Sequence, residues 1–277
     1  EFYAPSKNGK YNSVFGENLE KFEFANWFRF NDAKKQFQAR GVRLYESDIG
    51  AELKVLSERY HDVKAPDLHY TLWDIEVDYD PKRGFSSIDD PYAPINAIAL
   101  YHEWKKERIV LAVPPKGWDE NNKLENLAKE TGATIHMCRD ERELLLMFLD
   151  EIEDSDVISG WNSDWFDTPY VGARLQNVLG ERYFSRLSFP TADKPKWREV
   201  ERFGQLQKTL DLGGRISWDY LELFKKFEMS DRPSYSLEAI SNEQLPDLPK
   251  LEYDGSLAEL YNDDFEHFIR YNIRDTD

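Results

Sequence analysis

One short segment constrains this chain more than any other. Tyr70-Thr71-Leu72-Trp73-Asp74-Ile75-Glu76-Val77 has the aromatic and β-branched content of a strand, yet carries two acids flanked by apolar residues. Residues i and i+2 of a strand share a face, so Asp74 and Glu76 project together. Two carboxylates a few ångströms apart repel, and both stay ionised only with a cation between them. Hard oxygen donors suit Mg²⁺ or Mn²⁺. Taken alone, Asp-x-Glu is explained better by an exposed strand face with two solvated acids.

Around this segment the patterning changes near Pro66. Before it lies a polar stretch with weak strand and helix signals, aromatic from Phe22 to Phe30, with a short polar helix expected over 31–40. After it come strands at 70–77, 95–101 and 108–113, which suggest an antiparallel meander. A strand at 133–138, a helix at 140–152 and a strand at 156–161 follow. Strands succeeded by alternating helices and strands predict an α/β class, with a mixed sheet covered by helices.

Two later elements carry further chemistry. In Ser159-Gly160-Trp161-Asn162-Ser163-Asp164-Trp165-Phe166-Asp167-Thr168-Pro169, a buried strand ends, a loop follows and Pro169 opens a helix. Asp167 then lies at or near the helix N-cap, a role worth about 1 kcal/mol. Capping does not explain the aromatic side chains beside it: Trp161, Trp165, Phe166 and Tyr170 either pack the core or hold an unstacked base. In Phe265-Glu266-His267-Phe268-Ile269-Arg270-Tyr271-Asn272-Ile273-Arg274-Asp275, four apolar residues form a helical stripe. Tyr271 and Asp275 sit one turn apart at its edge. A tyrosine hydroxyl there can orient a water, although an ordinary surface pair explains the spacing equally.

Charge complicates a nucleic-acid reading, because a net −17 repels a phosphate backbone. It is unevenly spread: residues 182–226 hold ten Lys/Arg against six Asp/Glu, and residues 227–277 hold four against thirteen. The basic stretch either holds phosphates or solvates a loop around Pro195. A single cysteine, Cys138, excludes an internal disulfide and favours a reducing setting. No apolar run reaches the roughly 18 residues that would span a membrane. His61, His69, His102, His136 and His267 form no zinc pair, and no nucleophilic triad or Gly-rich phosphate loop is present.

Taken together, Asp-x-Glu on an early strand, Asn-x-x-x-Phe-Asp after a later one and Tyr-x-x-x-Asp on a distal helix resemble the three exonuclease motifs of family B DNA polymerases. They match the tyrosine-bearing subtype of four-acid exonucleases with an RNase H-like fold. The stretches 179–182, 219–227 and 233–238, with 11–24, look like the replicative polymerases of T-even-type phages. The resemblance implies part of an N-terminal domain over 1–66 and a 3′→5′ exonuclease domain over 67–277. It implies two-metal hydrolysis of single-stranded DNA 3′ ends with Mg²⁺ or Mn²⁺, releasing nucleoside monophosphates. Asp74, Glu76, Asp167 and Asp275 are the implied metal ligands and Tyr271 the residue that positions water. Asn162, Phe166 and, more weakly, Phe85 are implied substrate contacts; Phe85 as a loop aromatic covering the core is an equal alternative. Residues 194–214 fall where those polymerases carry a strand-separating hairpin, with Phe203-Gly204-Gln205 as its tip.

A full polymerase of this kind continues into palm, fingers and thumb. No polymerase active-site motif occurs here, so the expectation is the editing piece of a split or truncated polymerase. It would work beside the synthetic part in the cytoplasm of the infected host cell. A non-catalytic docking module and a fragment that holds single-stranded DNA without cutting it are the competing classes.

Overall fold

The computed structural model describes residues 1–119, 123–202, 204–228 and 230–277. The backbone divides into two compact units, Glu1–Pro66 and Asp67–Asp277.

In the first unit, β1 (Phe2–Pro5), β2 (Tyr11–Asn12) and β3 (Asn18–Phe22) form an antiparallel sheet in the order β1-β3-β2, followed by α1 (Trp27–Ala39) and α2 (Ala51–Arg59). Phe2 is fully buried, with the rings of Phe22, Phe24, Phe30 and Phe37 between 5.1 and 5.9 Å away. The helix begins at Trp27 rather than near Asn31, because the Asn26 side chain accepts the Arg29 N–H at 3.0 Å and caps it.

The second unit is built on β4 (Tyr70–Val77), β5 (Ile95–His102), β6 (Glu107–Ala112), β7 (Ala133–Met137), β8 (Val157–Gly160) and β11 (Ile216–Asp219). Between the last two, β9 (Lys196–Arg202) and β10 (Gln205–Asp211) pair with each other as a separate antiparallel hairpin. The sheet order is β11-β8-β4-β5-β6-β7. The β4-β5-β6 meander is antiparallel, while β7, β8 and β11 join in parallel. The helices are α3 (Lys123–Thr131), α4 (Glu141–Glu151), α5 (Asp167–Val178), α6 (Glu181–Phe184), α7 (Tyr220–Phe227), α8 (Leu237–Gln244), α9 (Leu257–Asp263) and α10 (Phe265–Thr276). This is the mixed α/β sheet flanked by helices that an RNase H-like exonuclease domain requires. Among the described residues, no helix is long and apolar enough to cross a membrane.

Strand alternation gives the two sheet faces different characters. Trp73, Ile75, Ile98, Leu100, Ile109 and Leu111 turn to one side and pack on Leu144, Leu145, Phe148 and Leu149 of α4 and on Tyr170, Val171 and Leu175 of α5. The opposite face of the central strands is lined by Ala97, Ala99, Val110 and Ala112, and takes Phe265, Phe268, Ile269 and Ile273 of α10. Ala99 lies directly across from Asp74 and Ala97 from Glu76. Small residues at those positions leave room for carboxylates and let α10 lie close to the sheet. A register shift between Glu76 and Val77 bends the end of β4 beside the acids.

Ala99→Leu tests this packing. Added volume on a filled face costs about 1–3 kcal/mol, so the urea midpoint should fall. An unchanged midpoint would mean that α10 does not depend on the alanine floor.

Candidate active site

Asp74 and Glu76 leave β4 on the face covered by α10, and Asp275 descends from the last turn of that helix. Oxygens of these three carboxylates lie within 4.8 Å of one another. Burial holds Asp74 well above the usual carboxylate range, and the charges of Asp167, Glu76 and Asp275 push the same way against Lys250. Glu76 is raised likewise, by burial first and Asp275 next.

Asp167 stands beside the group. It is the first residue of α5, with Phe166 in the cap position, and Pro169 sits in the first turn, where its missing N–H is tolerated. The Asp167 carboxylate adjoins the group rather than simply capping the helix. Its Oδ1 accepts the backbone N–H of Ile75 at 3.2 Å, between the two strand acids. Burial pushes Asp167 up to about 7, opposed by that N–H and its own.

Tyr271 is buried on α10, one turn before Asp275. Burial and the charges of Asp275 and Glu76 raise its hydroxyl pKa, so it holds its proton firmly. Tyr253 meets its ring edge-on at 5.2 Å. The Lys250 ammonium lies 4.6 Å from the Tyr271 ring centre and 2.6 Å from Asp275 Oδ2. Burial raises Asp275, and this ion pair opposes the rise. Asp275 Oδ1 is buried and, among the described residues, has no hydrogen-bond partner. Hard oxygen donors within 4.8 Å of one another and a carboxylate oxygen left without a partner among the described residues together fit a divalent cation, since ligand distances of about 2.1 Å are within small side-chain movements of this spacing.

The remaining expected residues occupy separate places. Asn162, in the turn two residues past β8, is in the left-handed region (φ 62°), its N–H donating to Asp219 Oδ1 at 3.0 Å. Among the described residues, its side chain makes no hydrogen bond to the four acids. Phe166 is half-buried, stacked on Tyr170 at 5.3 Å and packed against the core. Phe85 is 90% exposed and does not cover the core. Its loop is fastened by the Tyr170 hydroxyl, which donates to the Ala93 carbonyl at 2.7 Å and lies 2.8 Å from Ser86 Oγ.

The hairpin expected within 194–214 is β9–β10, with Arg202 paired to Gln205 and Gly204 at φ 74° in the turn. Phe203 of the expected tip lies outside the described residues. Within the basic stretch Lys196 pairs with Asp193, Arg198 with Asp211, Arg202 with Glu222 and Lys208 with Asp89. These pairs brace the hairpin, and of the four only Lys208–Asp89 draws on an acid outside the stretch.

Sequence reasoning missed Lys250, Asn272 and Asp219. Lys250 follows Pro249 in a segment without periodicity, and only tertiary contact brings it to Asp275. Asp219 N-caps α7, accepting the Leu221 N–H at 2.9 Å, while it holds Asn162. Asn272 had a signal: it falls on the apolar stripe of α10, three residues after Ile269, where a polar residue demands a reason.

The family described as "DNA polymerase family B, exonuclease domain" matches residues 18–240. The DNA-directed DNA polymerase of Escherichia phage RB69 is 29% identical over an alignment that covers 98% of this chain and 32% of that protein. That of Enterobacteria phage T4 is 25% identical with the same coverage. DNA polymerase 1 of Sulfolobus acidocaldarius is 26% identical over 89% of this chain and 25% of its own length. The chain thus spans about a third of the length of its phage relatives. With the matched region covering most of its residues, the chain belongs to the exonuclease domains of family B DNA polymerases and is a DNA exonuclease.

Proposed function

We propose that this chain is the 3′→5′ proofreading part of a T-even-type replicative DNA polymerase, trimming single-stranded 3′ ends in the cytoplasm of the infected host cell. The observation that carries this reading is the convergence of Asp74, Glu76 and Asp275 within 4.8 Å, with Asp167 tied to the intervening Ile75. Asp74, Glu76 and Asp275 would hold one divalent cation, and Asp74 with Asp167 a second. When bound, Mg²⁺ or Mn²⁺ supplies acidity to the attacking water and charge stabilisation to the departing 3′ oxygen.

The chain's own groups order the rest. Tyr271, whose proton is firmly held, acts as a neutral hydrogen-bonding partner that aims the water and is not a base. Lys250 orients Asp275 and favours its ionised form against burial. Water oxygen bonds to phosphorus as the bond to the 3′ oxygen breaks, and that oxygen takes a proton. A nucleoside 5′-monophosphate leaves, with a new 3′-hydroxyl on the strand. The exposed Phe85 offers a face for an unstacked base, worth about 1–3 kcal/mol, and Asn162 and Phe166 border the strand path. The β9–β10 hairpin would part the duplex, and the polymerase's synthetic portion would deliver the end.

With a 5′-labelled single-stranded oligonucleotide and Mg²⁺ or Mn²⁺, the chain should give a stepwise ladder from the 3′ end. Asp74→Ala should slow it by about 10³-fold or more, since the lost electrostatic stabilisation is several kcal/mol. Tyr271→Phe should slow it less, about 10–100-fold, if only water orientation is lost. DNA binding without cleavage by the unaltered chain would favour a holding module instead.

Stability should follow pH in a set direction. Folded Asp167 binds its proton up to about 7 whereas an unfolded aspartate releases it near 4. The metal-free folded state therefore holds more protons between those values and loses stability as pH rises through them. Cations displace those protons, so the Mn²⁺-induced rise in melting temperature should be larger at pH 8 than at pH 6. An equal rise at both, or one retained in Asp74→Ala, would contradict the assignment.

A further inference from the structure

A buried amide that the hydrolytic scheme leaves unused lies against the acidic group. Asn272 is fully buried on the sheet-facing stripe of α10. Its Nδ2 donates to Asp74 Oδ2 at 3.1 Å and reaches the Asp74 carbonyl at 3.5 Å. Its own Oδ1 is buried with no hydrogen-bond partner among the described residues. An orphaned buried oxygen costs about 1–3 kcal/mol, and leucine, of similar shape, would fill this stripe beside Phe268 and Ile269 without that cost. Packing alone therefore does not account for an amide here.

We propose that Asn272 is a positioning residue that fixes the rotation of the Asp74 carboxylate for cation binding; the inference rests on the metal assignment above. Asp74 interacts with Asp167, Glu76 and Asp275 alike, so turning its carboxylate disturbs the whole group. The donor must hold one oxygen without charge. An ammonium, such as Lys250 on Asp275, attracts the carboxylate but repels an incoming cation. A carboxylate at position 272 would add another negative charge to a crowded group. A neutral amide anchored to both the side chain and the backbone of Asp74 does neither, and it ties α10 to β4 at the point where the ligands meet.

The test is Mn²⁺ titration calorimetry on the whole chain, comparing the unaltered protein with Asn272→Leu and Asp74→Ala. Removing an outer hydrogen-bond donor from a ligand typically costs 10–100-fold in metal affinity, and a loss of about tenfold or more is expected for Asn272→Leu. Its metal-free urea midpoint should be equal or higher. The kcat on a single-stranded oligonucleotide should fall while KM for that DNA stays the same. A folded Asn272→Leu that binds Mn²⁺ within twofold of the unaltered chain overturns the proposal, whatever its activity. Should Asn272→Leu fail to fold, Asn272→Ala takes its place under the same criterion. If neither folds, Asn272 is structural and the proposal falls. Mn²⁺ affinity that is already absent, or that survives Asp74→Ala, removes the metal assignment itself rather than this residue's part in it.

Discussion

Carboxylates held together against their own repulsion set the terms for the rest of the second unit. Two unit charges about 5 Å apart, at an effective dielectric of about 20, repel by about 3 kcal/mol, more than an ordinary hydrogen bond returns. Asp74, Glu76 and Asp275 meet within 4.8 Å, and Asp167 is fastened by one backbone N–H beside them. Burial raises the pKa values of Asp74, Glu76 and Asp275, repulsion adds to the rise at Asp74 and Glu76, and Lys250 opposes it at all three. A group of hard oxygen donors of this kind suits a divalent cation better than a packed core.

The surroundings make that closeness possible. One sheet face is filled by large apolar side chains on α4 and α5, which anchor the strands. The other is floored by Ala97 and Ala99 opposite the acids, and α10 lies across it with a stripe of Phe and Ile. Strand alternation alone separates Trp73 and Ile75 from Asp74 and Glu76, so one strand serves the core and the chemistry at once. The same economy recurs at Asp219, which caps α7 while it holds the Asn162 backbone in its left-handed conformation.

Much of the site was legible because local geometry carries it. The i, i+2 spacing of Asp74 and Glu76 on a strand, and the i, i+4 spacing of Tyr271 and Asp275 on an apolar-striped helix, follow from the periods of those elements. The strands of the meander were readable for the same reason. What escaped was set by contacts distant in sequence. Lys250 has no pattern around it, and its role follows only from its 2.6 Å approach to Asp275. The basic stretch 182–226 left phosphate holding and loop solvation equally open, and the pairing of Arg198 with Asp211, Arg202 with Glu222 and Lys208 with Asp89 came only from the fold. The start of α1 was placed four residues late because a run of aromatic side chains masked the Asn26 cap.

By itself, then, the sequence determined which residue types share a face: two acids on one strand, a tyrosine and an acid one turn apart, an aspartate opening a helix. Periodicity is a property of the backbone and survives without knowledge of neighbours. The tertiary structure decided which faces meet. It placed Asp275 over Asp74 rather than over solvent, turned Asp167 toward the Ile75 N–H and buried Asn272 against Asp74. Those outcomes depend on how closely α10 can lie on an alanine-lined sheet, a packing distance no spacing along the chain encodes.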